Sequence, residues 1–161
     1  MSKEDNLEKL KKNYKVLEEK FDLPSFNELN EDFQIEHIEL ASSDFLVREV
    51  RRMISEKLVG YLKFIETLMN PSGAPFFVYS IIKPFGKSEK EKLGEFYKKL
   101  AKRQIEIIKL DLVYDVKKEV IFIKEVFSEW KKMKSEIFDI ISFAEANMDK
   151  KYDNGSRAYF G

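Results

Sequence analysis

The chain has 161 residues, 43% hydrophobic and 36% charged, with 29 basic and 29 acidic residues balancing to zero net charge and no cysteine. That length suits one domain with a real core. Zero net charge removes any global pull toward nucleic acid, and the lack of cysteine excludes disulfides, thiolate metal sites and a cysteine nucleophile.

The first twenty residues are charged throughout and carry no secretory-leader pattern. The longest apolar run, Gly73–Ile82, is about half of what a membrane-spanning helix requires. The expectation is a soluble, cytoplasmic protein with no membrane partner.

In chain order, Leu7, Leu10, Tyr14, Leu17 and Phe21 recur at spacings of three and four, which predicts a helix over Lys3–Glu19 ended by Pro24. Ser25 and Glu28 form a capping box for a short helix over Phe26–Asp32, pinned by Phe26, Leu29 and Phe33. Residues 34–43 have no clean period and read as an irregular connector. Ser43 or Asp44 then caps a helix reaching Leu68 or Met69, whose apolar face includes Val50, Ile54, Leu58, Leu62 and Ile65. Gly60 interrupts it, and a close helix–helix approach would explain the glycine.

Asn70–Pro75 is the clearest break in the chain. Between Pro75 and Pro84, Phe76–Ile82 is too short to type by period. Two helical turns are favoured over a buried strand, which would lack a pairing partner. Ser88 and Glu91 read as a second capping box. From Ser88 to Asp149 there is no proline and one glycine, Gly94, with apolar residues at helical spacing. As one rod this segment would reach about 90 Å, too long for a compact domain. A bend or break near residues 110–117 is therefore expected, giving two antiparallel helices. Alternating apolar residues over Ile108–Val116 leave a strand open as the alternative. Ile121, Val126, Phe138 and Ile140 widen the late stripe, which suits packing inside a bundle. Residues 150–161 read as a flexible tail.

The chemistry-bearing residues are few. His37 is the only histidine, so two-histidine metal sites are out of reach, and no Asp-rich calcium loop appears. Gly86-Lys87-Ser88 mimics the end of a phosphate loop, but Ile81 stands where the first glycine belongs and Pro84 removes an amide donor. Glu125 and Glu129 stand one turn apart among lysines, as on a solvated face. Lys98, Lys99, Lys102 and Arg103 read the same way. Arg48, Arg51 and Arg52 share one helix side. They can grip a partner's phosphates or carboxylates, or pair with the acidic segment 22–44, which has seven acidic residues and no Lys or Arg. The internal pairing is preferred. Tyr152, Tyr159 and Phe160 are aromatics in a polar tail, able to dock in a partner's groove or fold back.

The sequence thus reads as an all-α, single-domain bundle of four to six helices over 1–149, with a tail over 150–161. The expected function is a non-catalytic protein–protein interaction module, an adaptor or assembly subunit, whose partner is another protein or a second copy. No catalytic residue, cofactor or metal is expected. Arg48, Arg51, Arg52, Tyr152, Tyr159 and Phe160 are the candidate partner-binding residues. The alternatives are a nucleic-acid- or ribosome-associated factor using the basic faces, and an enzyme with a carboxylate or tyrosine site.

Overall fold

The computed structural model describes residues 3–39 and 45–156, with side chains for 4–39 and 45–147. Every regular element among the described residues is helical: α1 Lys3–Phe21, α2 Phe26–Phe33, one 3-10 turn over Ile35–His37, α3 Leu46–Met69, α4 Phe76–Ile82, α5 Lys87–Leu112 and α6 Val116–Ser156. The fold is all-α.

Local chemistry sets the boundaries. Asp22 takes a left-handed φ of 52° after α1. The Ser25 box is complete: the Glu28 amide donates to the Ser25 hydroxyl and the Ser25 amide donates to the Glu28 carboxylate at 2.9 Å. The Ser25 hydroxyl also donates to the Glu28 carboxylate at 2.6 Å, and that bond first, then the one from the Ser25 amide, holds the Glu28 carboxyl below its ordinary pKa. Gln34 closes α2 in the left-handed region, its amide bonded to the Asn30 carbonyl. The turn before α4 places Gly73 at φ 77°, with the Ala74 amide bonded to the Pro71 carbonyl.

Several boundaries correct the sequence reading. α5 starts at Lys87, and its cap is the Glu89 carboxylate on the Gly86 amide, 3.0 Å, in place of the expected Ser88–Glu91 box. The long segment breaks between Leu112 and Val116, inside the expected window. The Asp115 carboxylate caps α6 by accepting the Lys117 and Lys118 amides at 3.0 and 3.3 Å. The strand alternative for 108–116 is replaced by helix and turn. α6 continues to Ser156, beyond the expected end near 149. The Ser43/Asp44 cap lies outside the described residues.

The chain divides into two compact units, Met1–Val59 with Arg103–Trp130, and Gly60–Lys102 with Lys131–Gly161. In the first, α1, α2 and the facing parts of α3, α5 and α6 bury Leu10, Tyr14, Leu29, Ile35, Val50, Ile54, Ile123 and Val126. Phe33 packs on Trp130 with ring centroids 5.1 Å apart. In the second, Ile65, Leu68, Val78, Phe96, Leu100, Met133 and Ile137 form the core. Gly60 is not a close-approach site, because a Cβ built there meets nothing within 4 Å. Ile121 and Phe138 do not widen a buried stripe, for both are exposed.

Candidate functional site

Arg51 occupies a core position of α3, one turn from both Val47 and Ile54 on the stripe, and only 1% of it is exposed. Its Nε donates to Glu119 at 2.6 Å and its guanidinium to Asp111 at 2.7 Å. Glu119 is fully buried on α6. Burial alone would lower the Arg51 pKa, but the hydrogen bonds to Glu119 and Asp111 outweigh it and raise the value, so the guanidinium stays charged. Arg48 donates to the Asp111 carbonyl at 3.2 Å and lies over the Tyr114 ring at 5.4 Å. Arg52 is exposed and pairs with Glu49.

The preferred internal pairing of the arginines therefore goes to a different segment from the one expected. Arg51 meets the α5–α6 turn region in place of residues 22–44, and its burial withdraws it from the partner-binding candidates. The acidic segment finds lysines instead. Lys57 donates to the Asp32 carbonyl, and Lys124 meets Asp22 at 3.2 Å. Tyr152, Tyr159 and Phe160 lie outside the residues with described side chains.

Arg103 repeats the pattern, and its reading as part of a solvated face is corrected. It is 8% exposed and is bound by Glu106 at 2.5 Å, Glu125 at 3.0 Å and Glu129 at 3.0 Å. Burial opposes its charge, while the three carboxylates win and raise its pKa. The Glu125–Glu129 pair is thus a clamp on one guanidinium. Tyr14 is buried and its hydroxyl donates to the Pro24 carbonyl at 2.6 Å. Burial first, then the Glu18 and Glu28 charges, push its pKa up. His37 is exposed on the 3-10 turn. Among the described residues, no cluster of three or more His, Asp or Glu could hold a metal ion. No helix of the described residues is long and apolar enough to cross a membrane.

Among the described residues, two exposed features bear on function. α4 packs through Val78 and leaves Phe76 78%, Phe77 57% and Tyr79 45% exposed. The sequence flanking it, Thr67–Ser88, contains no Asp or Glu. In the second unit, a cavity of about 370 Å³ lies along α5 and α6, floored by Phe85, Phe96, Ile140 and Phe143 and rimmed by acidic and basic side chains.

Sequence reasoning missed the roles of Arg51, Arg103 and Glu119, although a signal existed. Each interrupts an apolar stripe: Val47-Arg51-Ile54-Leu58, Phe96-Leu100-Arg103-Ile107, and Val116-Glu119-Val120-Ile123. A charge at a core register position implies a buried partner. No family model, curated protein or solved structure matches the chain.

Proposed function

We propose that this chain is a non-catalytic helical interaction module that docks on another protein through α4. The observation that carries the reading is the exposure of Phe76, Phe77 and Tyr79 on one short helix. Aromatic side chains in a small cluster are the usual anchors of protein interfaces, because each removes a large apolar area from water at low entropic cost. The flanking prolines, Pro75 and Pro84, restrict the element and keep the anchors presented. No carboxylate lies within the same stretch of chain, so the segment itself brings no acidic group to desolvate with the patch. Arg51 and Arg103 are held by internal carboxylates, which favours a protein partner over a phosphate backbone.

The test is purification from the native host under mild crosslinking. The wild-type chain should bring down one stoichiometric partner. A Phe76→Asp, Phe77→Asp variant should lose it, at a cost of about 2 kcal/mol or more of binding energy. A Val16→Asp control, changed at an exposed position of α1, should keep it. Recovery of the wild type alone as a monomer, or retention of the partner by the α4 variant, would remove the reading.

A further inference from the structure

We propose that the cavity along α5 and α6 in the second unit binds a small organic ammonium ion carrying an apolar body. This rests on different residues from the α4 patch and stands apart from the partner reading.

Size comes first. A cavity of about 370 Å³ falls within the roughly 300–1,000 Å³ of small-molecule sites. It matches one compact ligand better than a docked helix, which needs a long open groove.

The floor sets the chemistry. Phe96 projects from α5, Phe143 from α6, and Phe85 from the segment just before α5. The Phe85 and Phe143 centroids lie 5.8 Å apart with the rings tilted by 56°. Phe85 and Phe96 are buried and Phe143 is half-buried, so the lining is aromatic with its rings held in place. Phenyl faces carry negative charge density, which attracts alkylammonium groups.

The rim points the same way. Helical spacing puts Glu89, Lys92, Glu95 and Lys99 on one side of α5, with Glu136 and Asp139 on α6. The Lys99 ammonium donates to both Glu136 oxygens, at 3.0 and 3.1 Å, so that pair cancels. Glu89 accepts the Gly86 amide, a neutral donor that leaves its charge unpaired by any cation. Three carboxylates, Glu89, Glu95 and Asp139, then face one lysine, Lys92. The lining carries a surplus of two negative charges over an aromatic floor. An anion would meet that surplus as repulsion. A neutral apolar ligand would desolvate the carboxylates without compensation. A cation with a phenyl-sized body satisfies both layers.

The experiment titrates the full chain with benzyltrimethylammonium, benzyl alcohol and phenylacetate, followed by amide and ring NMR shifts. The ammonium should bind saturably at Phe96, Ile140 and Phe143, about tenfold tighter than benzyl alcohol, given the usual strength of cation–π contacts. Glu95→Gln combined with Asp139→Asn should weaken the ammonium severalfold and leave benzyl alcohol unchanged. Both positions are exposed, so that variant keeps its core. Phe143→Leu should weaken the ammonium more than the alcohol, because it removes a π face and retains apolar bulk. Equal affinity for the three probes, preference for phenylacetate, shifts mapping elsewhere, or no shifts would overturn the proposal. So would a Lys/Arg-rich amphipathic peptide that occupies these residues when the ammonium does not.

Discussion

Truncating Glu119 would strand the Arg51 guanidinium in the interior with only the half-exposed Asp111 to answer it. Breaking such a pair from one side costs about 3–5 kcal/mol, because the uncompensated charge stays buried. Glu119→Ala should therefore lower chemical-denaturation stability by that amount. Replacing both partners, Arg51→Met with Glu119→Leu, should restore most of it, since an apolar pair avoids desolvation altogether. A second residue-scale effect concerns Tyr14. Its folded pKa is raised, so the neutral phenol contributes stability that is complete below the unfolded value. That stability is lost as pH climbs from about 10, the unfolded value, through the folded one. Thermal melts should show an alkaline decline that Tyr14→Phe reduces. At neutral pH that variant should cost about 0.5–1.5 kcal/mol, having lost the bond to the Pro24 carbonyl.

Among the elements, the glycines separate by context. Gly60 lies in the interior of α3 and Gly94 in that of α5, and an added methyl at either meets nothing within 4 Å. Each glycine only costs backbone entropy there. Gly60→Ala and Gly94→Ala should each raise stability by about 0.5–1 kcal/mol in urea unfolding. Gly73 is the opposite case. Its φ of 77° is one that L side chains avoid, so Gly73→Ala should cost roughly 1–2 kcal/mol. Most element boundaries were legible in the sequence. Proline, the Ser25–Glu28 box and the three-four spacing act locally, and local signals survive without knowledge of the fold. The α5 cap was misplaced by two residues because Ser88 and Glu91 carry both side chains of a capping box, whereas Gly86 and Glu89 supply only the carboxylate half. Hydrogen-bond geometry, not residue type, chose between them.

Across the whole molecule, the exact balance of 29 basic and 29 acidic residues places the isoelectric point near 6.7. Near that pH no net repulsion keeps copies apart, while Phe76, Phe77, Leu112 and Phe138 remain exposed. Light scattering should therefore report maximal self-association close to pH 6.7 and a decline toward about pH 8.5, where net charge restores repulsion. Phe76→Asp with Phe77→Asp should flatten that maximum by adding charge and removing apolar surface together.

The amino-acid order alone determined that the chain is helical, where most helices start and stop, and that the long C-terminal run must break between about residues 110 and 117. Those properties follow from spacing, capping and chain length, all of which act within a few turns. Only the tertiary structure decided which charges go inside. Arg51 finds Glu119 across 68 positions, and Arg103 finds Glu129 across 26. It also decided that Phe138 and Ile121 face water while Glu119 does not. A side chain's burial depends on which helix packs against it, and helical periodicity specifies a face without specifying its neighbour.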